Sequence, residues 1–328
     1  MSALLAQTTE IEVDSTPFSD YETDGGSELS TQSLSSSIRE HVYENGRRYH
    51  RKSAGQYFLP SDETEQDRLD LLHHLYTLVR GGALYMAPLR EDPARVLDAG
   101  TGTGVWALDF GDIHPGSEVV GVDLAPIQPD WTFPNVKFEC DDLEKDWTWK
   151  LNHFNYIHSR ALATAIKDWS RYFTQCFRHT APGGYIEIVE YALDRLWSDD
   201  DTLKDSALEK FMAKFSEGLS KSGINVHVDG EYIKKGLEEA GFTDVQVHPA
   251  RIPCGAWPKE PNAKRVGATQ HLNLQTGLEA HGLNIFTQVL EMTVEEANEL
   301  IAAALKDVER RKVHSYTIVW NVVARKPE

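Results

Sequence analysis

The sequence of 328 residues has few cysteines, no long hydrophobic run and no excess of basic residues. Its three cysteines, Cys140, Cys176 and Cys254, are odd in number and widely spaced, which argues against a disulfide framework and fits a reducing compartment. No apolar run approaches the ~18 residues of a membrane span. The first residues also lack the basic and apolar regions of a secretory signal. We therefore expect a cytoplasmic protein, with the nucleus as the alternative.

The shortage of basic residues argues against binding to nucleic acids or membranes. The chain has 33 lysines and arginines against 51 acids, a net charge of −18. Because such a charge repels phosphate backbones and anionic lipids, we expect neither nucleic-acid nor membrane partners. The 13 histidines and the cysteines show no C-x-x-C or H-x-x-x-H spacing, so no metal site is expected.

Changes in composition divide the chain into three parts. Residues 1–38 hold seven acids, many Ser and Thr, and no Lys or Arg, which predicts a disordered tail. A phosphorylated or partner-binding tail is the alternative. Residues 39–90 combine an aromatic and basic segment with a helix that begins near Ser61 or Asp62. Residues 91–328 then form one α/β domain with helical insertions at about 192–227 and 253–314.

Short apolar segments alternate with helical patterns in this third part. Such alternation predicts βαβ units and a mostly parallel sheet. The candidate strands are RVLD, EVVGVD, VKFEC, FNYIH, GYIEIVE, DVQVHPARI and HSYTIVWNVVARK.

A glycine-rich turn, DAGTGTG at residues 98–104, stands between the first of these strands and a helix. The glycines permit a tight turn and close approach of a ligand to the backbone. An acid two residues before the first glycine is unfavourable beside a pyrophosphate, and the spacing is G-x-G-x-G instead of G-x-G-x-x-G. Asp123 ends the next strand, where an acid can bind ribose hydroxyls, and Asp141-Asp142 follows the third strand. An acid-lined pocket suits the cationic nucleoside S-adenosyl-L-methionine.

LDAGTGTG, VVGVD, ECDD and APGGYIEI resemble the successive motifs of class I S-adenosylmethionine-dependent methyltransferases. This resemblance implies a Rossmann-like α/β fold with seven strands, the last antiparallel, and helical insertions that form a cap. Segments such as YENGRRYH, IKDW and PGGYIEIVE resemble the fungal LaeA-like methyltransferases more narrowly. That family includes regulators of secondary metabolism and enzymes of natural-product pathways. The likeness covers most of residues 43–327 and is loosest over 192–314.

The resemblance also implies roles for individual residues. Asp98 would lie near the cofactor ammonium or a bridging water, Asp123 would hold the ribose, and Asp142 would meet the adenine. The expected cofactor-binding residues are Asp98, Gly100, Thr101, Gly102, Gly104, Asp123, Leu124, Asp141, Asp142, Leu143 and His158.

Two residues at the ends of strands are candidate bases, since an oxygen or nitrogen acceptor can need a proton removed. His158 ends FNYIH and Glu190 ends GYIEIVE, and ligands of open α/β sheets lie beyond these strand ends. The alternatives are a buried histidine beneath the cofactor and a glutamate that anchors neighbouring backbone. The residues expected to form a lid or to face the substrate are Arg47, Arg48, Tyr49, His50, Tyr57, Arg160 and Tyr191.

The sequence thus predicts an enzyme that methylates a small natural product and releases S-adenosyl-L-homocysteine. The acceptor atom stays open between oxygen, nitrogen and carbon. One alternative is a LaeA-type regulator that acts through protein partners. The others are a nicotinamide-dependent dehydrogenase and a methyltransferase fold reused for another reaction. A closed apolar cavity beside the cofactor would favour a small substrate, and an open groove would favour a protein.

Overall fold

A computed structural model describes residues 41–50, 58–89 and 93–328, so the predictions for the tail 1–38 and for Tyr57 lie outside the described residues. The first described element is a hairpin of strands β1 (His41–Glu44) and β2 (Arg47–His50). Asn45 and Gly46 join the strands with φ of 50° and 79°. Two positive φ values in an Asn-Gly pair are typical of a tight hairpin turn.

The remaining strands are β3 (Arg95–Ala99), β4 (Glu118–Asp123), β5 (Val136–Cys140), β6 (Phe154–Arg160), β7 (Thr180–Tyr191), β8 (Trp197–Ser198), β9 (Thr243–Pro253) and β10 (Ser315–Arg325). They form one twisted sheet in the order β5-β4-β3-β6-β7-β10, with β8 and β9 both paired to β10. Strands β3 to β7 are parallel, and β10 runs antiparallel to β7 and β9. The prediction of seven strands with an antiparallel last strand is therefore confirmed, with a two-residue strand, β8, in addition.

Within the residues that the structure describes, seven α-helices cover the sheet. They are α1 (Glu63–Val79), α2 (Val105–Ile113), α3 (Trp169–His179), α4 (Ala207–Lys221), α5 (Gly230–Ala240), α6 (Pro261–Asn284) and α7 (Val294–Glu309). Of the two predicted caps of α1, Asp62 is the one that accepts a hydrogen bond from the Glu65 amide, at 3.0 Å. A short π-helical turn, Ile285–Val289, follows α6.

The core lies on both faces of the parallel strands, because each face is covered by helices. Val96 and Leu97 in β3, and Ile186 and Ile188 in β7, have no exposed surface. Helices α4, α6 and α7 fall in the two predicted insertions and pack on one another, and α6 also packs on α1. They form the helical cap. Among the described residues, no helix is both long and apolar enough to cross a membrane.

Candidate active site

The glycine turn connects β3 to α2 in a conformation that other residues rarely adopt. Gly100 and Gly104 have φ of 74° and 84°. A Cβ on Gly100 would lie 2.3 Å from the Leu162 side chain, and one on Gly104 would lie 2.4 Å from the Phe138 ring. The Gly100 amide donates to the Val122 carbonyl oxygen at 2.8 Å, which fastens the turn to the end of β4. Both glycines are therefore required by backbone conformation and by space.

Asp123 closes this turn from the end of β4. Its Oδ2 accepts a hydrogen bond from the Gly102 amide at 2.8 Å, and its Oδ1 accepts one from the Ala125 amide at 3.0 Å. Burial raises the pKa of Asp123, and these hydrogen bonds act in the opposite direction. Each carboxylate oxygen keeps a second lone pair for a ligand hydroxyl.

The turn and the ends of β4, β5 and β6 surround one cleft. Seven of the residues predicted to bind the cofactor line it: Gly100, Gly102, Asp123, Leu124, Asp141, Asp142 and Leu143. Glu144 adds a further acid, and Leu162 and Ile166 supply an apolar wall. Acids on one side and apolar surface on the other fit a cationic nucleoside. Among the residues that the structure describes, no group of three potential ligands could hold a metal ion.

Asp98, Thr101, Gly104 and His158 lie behind the cleft surface. Asp98 and His158 are neighbours in register across β3 and β6, and Asp98 Oδ1 lies 2.7 Å from His158 Nδ1. Asp98 Oδ2 accepts a hydrogen bond from the Thr101 hydroxyl at 2.6 Å. Both oxygens of Asp98 thus bind the chain's own groups and support the turn, and its predicted place near the cofactor ammonium or a bridging water stays a prediction.

The structure does not support the prediction that His158 removes a proton from the acceptor. Its ring is 1% exposed and stacks on Trp106 with the ring centroids 3.8 Å apart. Burial lowers the pKa of His158 and outweighs the opposing effect of Asp98, so the neutral ring donates Nδ1–H to Asp98. This is the buried histidine of the alternative interpretation.

Glu190 is likewise an anchor and not a base that faces the cleft. Its carboxylate has no exposed surface and accepts hydrogen bonds from the amides of Leu162 and Ala163, at 2.7 and 3.1 Å. These bonds hold the segment after β6 against β7. Burial raises the pKa of Glu190 to about 8.

Of the four predicted lid residues in β2, the two arginines bind the acids of nearby helices, and none of the four lines the cleft. Arg47 makes two hydrogen bonds to Asp62, at 2.7 and 2.9 Å, and reaches Glu279 at 3.4 Å. Arg48 pairs with Glu63 at 2.8 Å, and Tyr49 and His50 are buried. The acids at the start of α1 attract the arginines, so the hairpin fastens α1 to α6. Their role as a lid over the ligand stays a prediction.

A second, mostly apolar cavity lies between α1, α4, α6 and the strands β7, β9 and β10. We call it the cap cavity, and its apolar lining includes Leu72, Leu75, Tyr76, Leu208, Phe211, Met212, Phe215, Leu274 and Leu278. Tyr191 lines it as well, as does His281. The buried pair Arg68–Glu65, 2.6 Å apart, lies at its edge.

Arg160 separates the cleft from the cap cavity. It lines the cleft, and its guanidinium carbon lies 4.9 Å from the centroid of the Tyr76 ring, which lines the cavity. Its Nη2 lies 3.2 Å from His73 Nδ1. Within the part of the chain that the structure describes, the buried Nη1 has no hydrogen-bond partner.

Sequence reasoning missed Arg68 and His281. On α1, Glu65 and Arg68 share a buried helical face with Leu72, Leu75 and Tyr76. Charged residues at helical spacing within an apolar stripe are unusual, and that signal could have identified the pair. His281 carries no comparable signal, because α6 has only a weakly apolar face.

The sequence model of one protein family, described as a methyltransferase domain, matches residues 71–247, more than half of the chain. The chain belongs to this methyltransferase family. It is an S-adenosyl-L-methionine-dependent methyltransferase with the class I fold, which decides against the nicotinamide-dependent dehydrogenase. The acid-lined cleft beside the glycine turn fits that cofactor.

Two curated relatives place the methyltransferase among fungal proteins of secondary metabolism. "Methyltransferase pytC" of Aspergillus terreus is 41% identical over 91% of this chain and 92% of its own length. "Secondary metabolism regulator LAE1" of Cochliobolus heterostrophus is 32% identical over 87% of this chain and 94% of its own length. A solved structure from Anabaena variabilis, described as a methyltransferase from an antibiotic biosynthesis pathway, has a TM-score of 0.50 at 14% identity. It covers 78% of this chain and 98% of its own, and shows the fold alone.

Proposed function

We propose that this methyltransferase methylates a small, largely apolar natural product bound in the cap cavity. The observation that carries the proposal is the position of that cavity, which adjoins the cofactor cleft at Arg160 and Tyr76. Its walls come from helices and strands on several sides, so it holds a compact molecule better than an extended peptide. Ligand sites of this kind are apolar with a few polar groups.

The cleft residues would hold the cofactor as follows. Asp123 would bind the ribose hydroxyls, Asp142 the adenine, and the backbone at Gly100 and Gly102 the methionine part. Bound S-adenosyl-L-methionine supplies a methyl group already activated by its sulfonium. The chain's own residues then contribute alignment and the exclusion of water.

Alignment in this site depends on Arg160. Its side chain lines the cleft, and its guanidinium lies over Tyr76, which lines the cap cavity. We infer that it turns aside when an acceptor enters the cap cavity. The unpartnered Nη1 donor would then meet an acceptor atom of one of the two ligands.

Labelled S-adenosyl-L-methionine tests where the methyl group goes. The purified protein is incubated with the labelled donor and a metabolite extract split into small molecules and proteins. We expect the label in the small-molecule fraction. Label confined to proteins would reject the proposal.

Two variants on α6 test the cavity itself. Leu274 lines the cap cavity, whereas Leu272 is 48% exposed on the same helix. Leu274→Trp should reduce label transfer about ten-fold or more, because a large side chain overfills a packed space. Leu272→Trp is the matched control and should leave transfer unchanged. Both should bind S-adenosyl-L-homocysteine normally.

A protein-directed role is the second candidate. The relative named a secondary metabolism regulator favours it. In that case the label enters a partner protein, and Leu274→Trp leaves the transfer unchanged.

A further inference from the structure

Among the polar groups that line the cap cavity, Tyr191 and His281 form a hydrogen-bonded pair. Tyr191, at the end of β7, places its hydroxyl 3.3 Å from Nε2 of His281 on α6. His281 Nδ1 lies 2.6 Å from the carbonyl oxygen of Gly277. Both side chains line the cavity.

The partners of His281 determine where its hydrogen lies. A carbonyl oxygen can only accept, so Nδ1 carries the hydrogen and donates it to Gly277. Burial lowers the pKa of His281 to about 3, and the positive charge of Arg68 acts in the same direction. The ring is therefore neutral near pH 7, and its Nε2 is an acceptor.

The direction of the second hydrogen bond follows. Tyr191 has a single hydroxyl hydrogen, which it donates to His281 Nε2. The lone pairs of its oxygen are what it offers to a ligand. A ligand group that meets Tyr191 must consequently be a donor, such as a hydroxyl or an N–H group.

The remaining charged groups of the cavity give an anion no advantage. Arg68 makes two hydrogen bonds to Glu65, at 2.7 and 2.6 Å, and donates to Asn273 Oδ1 at 3.0 Å. Its charge is already balanced by a carboxylate. Arg68 and the neutral His281 are the basic residues that line the cavity, so a buried anionic ligand would lose its hydration without gaining an unbalanced positive charge.

We propose that the Tyr191–His281 pair selects the acceptor, which is an uncharged, largely apolar molecule that directs one hydroxyl or N–H group at the Tyr191 oxygen. Tyr191 is a positioning residue in this assignment. His281 accepts the hydrogen of the Tyr191 hydroxyl and so leaves the Tyr191 oxygen as an acceptor for the ligand. The proposal rests on the proposed function in treating the cavity's occupant as the methyl acceptor. The selection of a donor group is testable by binding alone.

Three naphthalenes of similar shape test the selection. They are 2-naphthol, with a hydroxyl donor, 2-methylnaphthalene, with a methyl group in its place, and the anion 2-naphthoate. Their affinities are measured by calorimetry on the full chain with S-adenosyl-L-homocysteine present. We expect 2-naphthol to bind about five-fold more tightly than 2-methylnaphthalene, as one additional hydrogen bond allows. The anion 2-naphthoate should bind most weakly.

Variants locate the effect. In Tyr191→Phe, 2-naphthol should lose its advantage while 2-methylnaphthalene binds as before. Tyr316→Phe is the matched control, because the Tyr316 hydroxyl donates to Asp199 and that side chain does not line the cavity. Leu274→Trp should weaken the binding of both uncharged probes.

Each contrary result has a defined meaning. Equal affinities of 2-naphthol and 2-methylnaphthalene for the unaltered protein overturn the proposal, whether or not Tyr191→Phe folds. Normal probe binding in Leu274→Trp also overturns it, since the probes then bind elsewhere. Failure of the proposed function is seen separately, as absence of methyl transfer to small molecules while the 2-naphthol preference persists.

Discussion

Among single residues, three carboxylates of the sheet, Glu187, Glu190 and Asp123, differ in what surrounds them. Glu187 accepts hydrogen bonds from the Met86 and Ala87 amides, both at 2.8 Å, and faces Arg80 at 3.7 Å. Burial alone would raise the pKa of Glu187, but these partners outweigh it and lower the pKa. Glu190 and Asp123 have backbone donors and no close cation, and burial raises the pKa of each. Only Asp123 lines the cleft, so the three carboxylates have different uses.

The raised pKa of Glu190 predicts a pH dependence of stability. The carboxyl titrates near pH 8 in the folded protein and near pH 4.3 when unfolded. Between these values the folded state holds a proton that the unfolded state has lost, so stability falls as pH rises. Glu190→Gln removes this effect. Only the parent then loses stability as the pH rises. We therefore expect the free energy of unfolding of the variant, minus that of the parent, to increase from pH 5 to 8 by at most about 1.4 kcal/mol per pH unit.

Urea unfolding at four pH values measures this difference. A constant offset from the altered hydrogen bonds does not change the slope. Parallel stability curves for the two proteins would show that Glu190 has the same pKa in both states.

Asp123 gives a second prediction at this scale. Asp123→Ala should weaken the binding of S-adenosyl-L-homocysteine by about 1–3 kcal/mol, because a buried acceptor of hydrogen bonds is lost. Calorimetry measures the affinity. Asp112→Ala, at an exposed position on α2, is the control and should bind normally. Unchanged affinity in Asp123→Ala would reject the ribose assignment.

Among the elements, α1 links the cleft, the cap cavity and the hairpin. Leu69 lines the cleft, and Leu72 and Tyr76 line the cavity. Asp62 caps the helix and binds Arg47 of the hairpin with both carboxylate oxygens. The start of α1 is therefore the point from which the rest of the helix is positioned.

Replacing Asp62 should loosen this arrangement. Asp62→Ala removes the cap and the paired hydrogen bonds together, and we expect a loss of about 2–4 kcal/mol in the free energy of unfolding. Asp62→Asn keeps a capping oxygen and should lose less. Chemical denaturation compares them with Asp67→Ala, an exposed substitution on the same helix that should have little effect. Equal losses in the Ala and Asn variants would mean that the capping oxygen contributes nothing, and an Asn variant as stable as the parent would mean that the ion pair contributes nothing.

Most of these helices and strands could be predicted from the sequence, because apolar strands bounded by Gly and Pro are local signals. The predicted strand GYIEIVE begins later than β7 does, because the preceding residues around APGG also join the strand. Their pairing with β6 includes a register shift between Phe154 and Tyr156. The cleft was predictable because its glycines and acids stand at the ends of successive strands. The cap cavity was not, because Arg68, Tyr191 and His281 come from three distant segments and share no motif.

For the molecule as a whole, the net charge of −18 acts on a cofactor that is a cation. Asp123, Asp141, Asp142 and Glu144 all line the cleft, so negative charge is concentrated where that cofactor would bind. S-adenosyl-L-methionine carries one positive charge more than S-adenosyl-L-homocysteine. The field of the protein should therefore favour the donor over the product, and salt should reduce this preference.

Calorimetry at low and high salt tests this last prediction. From 0.05 to 0.5 M NaCl we expect the affinity for S-adenosyl-L-methionine to fall roughly two- to five-fold more than that for S-adenosyl-L-homocysteine, because screening weakens only the attraction of net charge. Asp141→Asn combined with Asp142→Asn should make the two salt slopes more alike. Asp112→Asn, which removes a charge at an exposed position on α2, should leave the two salt slopes as they are in the unaltered protein. Identical salt slopes in the unaltered protein would show that the cleft holds the two ligands through local hydrogen bonds, with no contribution from the charge of the molecule.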